Sequence, residues 1–316
     1  MEYRKLISFG KSSYVVSLPK SWIRQNQLKK GDLIYVDESG SNLLLKKEES
    51  KELVEKETTI SIDGKSRLWL FREVCSAYIR NNNKIILKGN EIKNRIKELH
   101  EIIQHFIALE IMEQSSERIV ARDFLNMDSV SIIELLHKMD LLARTMFKEA
   151  STAPEGENYE NLNERDKDVN RLYFLLYRVV LYYLEHPLKI MKNFKSNASE
   201  VLGWYFVAFY VEAIADEVRR TIRYSRLIKK DSKICIPISS LLNELEDYYI
   251  QTMKSFLNKD LNLGLELSEK RDSFINKINQ LEAESAKMPV LNNVVSHLRT
   301  LTANIHNLGG VVYTLI

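Results

Sequence analysis

Two sets of side chains in this 316-residue sequence have the types and spacing to do chemistry. The first set is basic. Arg4, Lys5, Lys11, Lys20, Arg24, Lys29 and Lys30 stand in the first 31 residues against one acid, Glu2. That is a local charge of +6 in a chain with formal net charge +3, so the remainder is net acidic by three. Lys and Arg at this density neutralise phosphates and release counterions, and Arg can read guanine with two hydrogen bonds. The plain alternative is a solvated basic face.

The second set is acidic. Glu164, Asp166, Asp168 and Asn170 open one helical stretch, and Glu212 and Asp216 sit in another. Residues four apart share a helix face. Glu212 therefore points with Asp216, Glu164 with Asp168, and Asp166 with Asn170. Two antiparallel helices can offer such carboxylates to one hard or borderline cation. Burying them unpaired would be costly. The alternative is an ordinary acidic face paired with Arg178, Arg219 or Arg220.

Little else suggests catalysis. The six histidines are scattered, and there is no Ser/His/Asp set, Gly-rich phosphate loop or Cys/His cluster. A carboxylate-bridged metalloenzyme is disfavoured because the Glu-x-x-His pairs of di-iron bundles are missing. The chain therefore reads as a non-enzyme. Cys75 and Cys235 are too few and too far apart for a disulfide framework, which fits a reducing cytoplasm. Neither a signal peptide nor a membrane-inserted helix is expected: the apolar runs 172–184 and 201–215 are broken by Arg178 and Glu212. The aromatic residues of 173–183 and 205–210 read as helix core, with a partner-binding groove as the second possibility.

The elements that must position these side chains follow from pattern. Ten Gly and five Pro are few for this length and favour long helices over a loop-rich β protein. Residues 1–46 read as short strands at 14–16, 33–36 and 43–45 around a short helix that begins at Pro19. Such a unit has too little core to stand alone and is expected to complete itself with a second copy. Residues 46–57 carry nine charged side chains in twelve, so 47–57 reads as a solvated hinge. Residues 58–125 alternate β-α-β-α-β, with a long helix expected over 91–113, and suggest a small α/β module. Beyond 128 the strands stop. Six helical segments are expected, at about 128–150, 160–185, 196–229, 237–258, 262–286 and 288–316, read as two three-helix bundles covering 126–230 and 236–316. The fold class is thus multidomain and mainly α.

Two resemblances sharpen this reading. Gly10-Lys11-Ser12, Val16-Ser17-Leu18-Pro19-Lys20 and Lys30-Gly31-Asp32 stand in the order found in the AbrB/MazE/SpoVT swapped-hairpin DNA-binding family, which residues 1–46 resemble. The resemblance implies a homodimer on double-stranded DNA, with Arg4, Lys5, Lys11 and Arg24 facing phosphates or base edges and Lys20 nearby. Residues 128–316, with Glu212-x-x-x-Asp216 facing Asp166-x-x-Val169-Asn170, resemble the PhoU family of phosphate-signalling regulators. This implies a divalent or ferric ion held in the first bundle by Glu164, Asp166, Asp168, Asn170, Glu212 and Asp216. In the second bundle Ser296 and Thr300 stand where carboxylates would be expected. Together the resemblances imply a cytoplasmic regulator of phosphate uptake. The alternative is an adaptor that docks on a phosphate transporter or sensor kinase without touching DNA.

Overall fold

The computed structural model describes residues 3–11, 13–39, 42–47, 56–152, 159–229, 232–283 and 288–315. The chain divides into two compact units, residues 1–54 and 55–316. Most of the expected hinge, residues 48–55, lies outside the described residues.

The first unit holds two hairpins and one short helix. Strands β1 (Ile7–Phe9) and β2 (Ser13–Val15) pair antiparallel, with Ile7 opposite Val15. Gly10 follows β1 with φ 70°, a left-handed conformation that a residue with a Cβ adopts reluctantly. Helix α1 (Lys20–Gln25) starts after Pro19, whose carbonyl accepts from Ile23 N at 3.1 Å. Strands β3 (Tyr35–Ser39) and β4 (Asn42–Lys46) form the second hairpin. None of this unit's described residues is buried within the chain.

The second unit begins with a four-stranded sheet. Its elements are β5 (Glu57–Ser61), α2 (Arg67–Ile79), β6 (Lys84–Lys88), α3 (Ile92–Gln104), β7 (Leu109–Gln114) and β8 (Arg118–Asp123). The strand order is β5-β6-β8-β7; β5 and β6 run parallel and the other pairs antiparallel. Strand residues alternate between faces. Ile60, Ile62, Ile85, Leu87, Ile119 and Ala121 accordingly meet Leu70, Val74, Leu99 and Ile103 of the helices in one core.

The helix expected over 91–113 stops at Gln104, and residues 109–114 form the additional strand β7. The apolar spacing of Ile103, Phe106 and Leu109 continues a helical rhythm. Ala108, at φ 64°, breaks the backbone between them. The module is therefore β-α-β-α-β-β.

Helices follow: α4 (Ile132–Thr152), α5 (Tyr159–Glu185), α6 (Pro187–Phe194), α7 (Ala198–Ser225), α8 (Cys235–Asn258), α9 (Leu261–Ser268), α10 (Arg271–Ala283) and α11 (Val290–Leu315). Two differ from the expected segments. The break at His186-Pro187 opens a separate two-turn helix, α6, with Pro187 in its first turn. The segment expected over 262–286 is divided at Glu269 and Lys270 into α9 and α10. Helices α4, α5 and α7 form one half, and α8 to α11 the other. Their cores are continuous, because α7 and α11 lie along each other over most of their length. By length and composition, α7 is the one described helix apolar enough to cross a membrane. It packs against α4, α5 and α11, burying Val207, Val211, Ile214, Val218 and Ile222.

The sheet is joined to α5 by a buried charge. Arg178 is fully buried, with Nη2 2.5 Å from Asp123 Oδ2 and Nε donating to Asn81 Oδ1 at 2.9 Å. Its guanidinium lies 4.5 Å from the centre of the Tyr78 ring. Beside it, Phe174 of α5 packs against Phe71, His105 and Phe106. Arg171 Nε donates to the His105 carbonyl at 3.2 Å.

Candidate functional site

The basic side chains are presented by the small elements of the first unit. Arg4 and Lys5 precede β1, and Lys11 lies in the turn after it. Lys20 and Arg24 are four apart on α1 and share a face. All five are exposed. The apolar residues of the same strands are exposed too; Phe9 is 72% accessible and Leu43 65%. Burying such surface is the main favourable term in folding. This unit therefore has positive charge for a polyanion, and an apolar surface that its own elements do not cover.

The six expected metal ligands do not form one centre. Glu164 and Asp168 face away, paired with Lys167 at 2.6 Å and Arg171 at 3.7 Å. Asn170 Nδ2 donates to the backbone carbonyl of Asp166 at 3.3 Å. Asp166, Glu212 and Asp216 do come together, where α5 meets α7. Two arginines join them. Arg219 Nε is 3.1 Å from Asp166 Oδ2, Arg219 Nη2 pairs with Asp216 Oδ1, and Arg220 Nη2 is 2.6 Å from Asp216 Oδ2. Burial pushes Glu212 up to about 7, and the neighbouring charges of Asp216 and Asp166 act in the same direction. Burial also raises Asp166, against the pull of Arg219. Among the described residues, no group of three or more His, Cys, Asp or Glu side chains is arranged to hold a metal ion. The residues present do not fit a resident metal centre, because the Arg219 guanidinium already stands between Asp166 and Asp216. Of the three arginines considered as partners for an acidic face, Arg219 and Arg220 take that role, while Arg178 pairs with Asp123.

The aromatic residues divide. Tyr182 and Tyr183 are core, as expected. Tyr173, Tyr177, Tyr205, Phe206 and Tyr210 are only half-buried, and Phe209 is exposed. Tyr173 and Tyr205 hold each other across the helices, hydroxyl to hydroxyl at 3.2 Å. Residues three and four apart on α5 and α7 share a face, while those one and two apart point to different sides. A run of aromatics therefore contributes to both sides. Sequence reasoning misses Glu217. Its Oε2 is 2.7 Å from His297 Nδ1 and its Oε1 3.0 Å from Arg220, tying α7 to α11. Only the Glu217–Arg220 spacing signals it in the sequence.

Comparison with known proteins gives two likenesses. The family model for "Antidote-toxin recognition MazE, bacterial antitoxin" matches residues 7–53. The head is of MazE type. Among solved structures, the crystal structure of PhoU from Pseudomonas aeruginosa is similar at 12% identity and a TM-score of 0.46, covering 58% of this chain and 91% of that one. No curated protein matches. The head likeness is the one that the motifs of residues 1–46 suggest.

Proposed function

We propose that this protein is a cytoplasmic, DNA-binding regulator of phosphate uptake. Its MazE-type head grips duplex DNA as a homodimer, and its helical body sets when it does so. The observation that carries this reading is the head itself: five exposed basic side chains on a unit with no core of its own. A second copy would cover the apolar strands and double the cationic surface, and two-fold symmetry would match paired half-sites. Phosphate uptake as the regulated process rests on the resemblance of residues 128–316 to the PhoU family.

A second reading, an adaptor that docks on a phosphate transporter or sensor kinase, is favoured by the outward aromatic side of α5 and α7, where Phe209 and Leu202 are exposed. A gel-shift experiment separates the two. The full chain and a version lacking residues 1–46 are titrated onto the promoter of a phosphate-transport operon. Binding by the full chain alone supports the regulator. Absence of any shift at low salt favours the adaptor.

A further inference from the structure

Three carboxylates and two guanidiniums crowd the seam between α5 and α7. Asp166 comes from α5; Glu212, Asp216, Arg219 and Arg220 come from α7. Arg219 spans the seam, with Nε 3.1 Å from Asp166 Oδ2 and Nη2 paired to Asp216 Oδ1. Arg220 closes the outer side at 2.6 Å from Asp216 Oδ2. A metal ion joining the two helices would need these same oxygens. A guanidinium and a metal ion cannot both stand between one pair of carboxylates. The guanidinium is planar and offers five donors, and no ordinary pH removes its charge. Its contact with Asp166 is an ion pair and not a hydrogen bond, since Arg219 Nε and Asp166 Oδ1 are both buried with no hydrogen-bond partner.

We infer that Arg219 is a built-in cation standing in place of a metal ion between α5 and α7, so that this half of the helical body packs without metal. Charge counting gives the consequence. Asp166, Asp216 and Glu217 stand against Arg219 and Arg220, with Glu212 beside them, and a neutral residue at 219 removes one positive charge whatever the protonation of Glu212. Three carboxylates from two facing helices would then suit a divalent cation.

The test uses the full chain as wild type and as Arg219→Ser, Arg219→Met and Arg219→Lys. Each is incubated with Mn²⁺ or Zn²⁺, desalted and analysed for metal, and its thermal unfolding is followed with and without the ion. Wild type and Arg219→Lys are expected to retain no stoichiometric metal and to unfold at an unchanged temperature. Arg219→Ser and Arg219→Met are expected to retain about one ion per chain, to bind at least about tenfold more tightly than wild type and to be stabilised by it. Adding Asp166→Asn is expected to abolish the gain. Refolding of either neutral variant only when metal is supplied would also support the inference. Two results would overturn it. One is a stoichiometric ion in the wild type that Asp166→Asn removes. The other is neutral variants that bind no more metal than wild type, or that fail to fold even with metal.

Discussion

Glu212 differs from the other acids of its cluster in having burial and two like charges against it, which puts its carboxyl at about 7 rather than the ordinary 4.5. The folded state therefore holds a proton that the unfolded chain has released between those two values. Stability falls as pH rises through that window, and the full loss is present above about pH 7. Glu212→Gln is expected to stabilise the protein by roughly 1–2 kcal/mol at pH 8 and to change little at pH 4, measured by urea unfolding at both. Asp123 matters through a buried ion pair. Asp123→Asn leaves the buried Arg178 guanidinium without a counter-charge, and about 3–5 kcal/mol of stability should be lost in the same assay. The acids that could pair across helices are visible in the sequence by spacing. Which arginine each meets is not. Arg178 and Arg219 both sit on long apolar-striped helices, and only the three-dimensional crossing sends one to Asp123 and the other to Asp166.

At the scale of elements, the rhythm of apolar residues identifies α2, α3, α4, α5, α7, α8 and α11. It fails at β7, because Phe106 and Leu109 keep helical spacing across a backbone break that depends on one left-handed residue, Ala108. It also passes over the division between α9 and α10, where Glu269 and Lys270 carry no Gly or Pro signal. Loop chemistry is better marked. Asp63 after β5 accepts from the backbone N–H groups of Asn90 and Glu91, both at 3.1 Å, and so fixes the start of α3 against the end of β5. Those hydrogen bonds hold the Asp63 carboxyl below its usual range. The backbone of Gly89 passes directly beside this carboxylate. A Cβ there would meet Asp63 Oδ1, with Ile62 Cγ1 at 2.7 Å. Gly89→Ala is therefore expected to destabilise the protein by about 2 kcal/mol or more, seen as a lowered calorimetric Tm.

For the whole molecule, composition and charge asymmetry are enough to separate a basic head from a helical body. The helical body's single core is not legible in this way, because tandem bundles and one shared core have the same apolar periodicity. The joint between sheet and helices is equally hidden. It rests on Tyr78, Asn81, Asp123 and Arg178, which are far apart in sequence and match no motif. The exposed strands of the head are legible as too small to stand alone. They lead to an expected outcome for assembly: Phe9→Asp with Leu43→Asp, placing charge on the bare strands, should convert the proposed homodimer to monomer in analytical ultracentrifugation. The central claim is that the head binds duplex DNA through paired phosphate contacts. It is tested most directly by the fluorescence anisotropy of a labelled phosphate-transport promoter, titrated with the full chain across a series of salt concentrations. The account predicts a log–log salt slope steeper than about −4. The slope should become shallower by about 4 when Lys20→Ala and Arg24→Ala are combined, since each removed phosphate contact changes it by about one and a dimer carries each of the two side chains twice. Salt-independent binding, an unchanged slope in the double variant, or no binding in dilute buffer would contradict it.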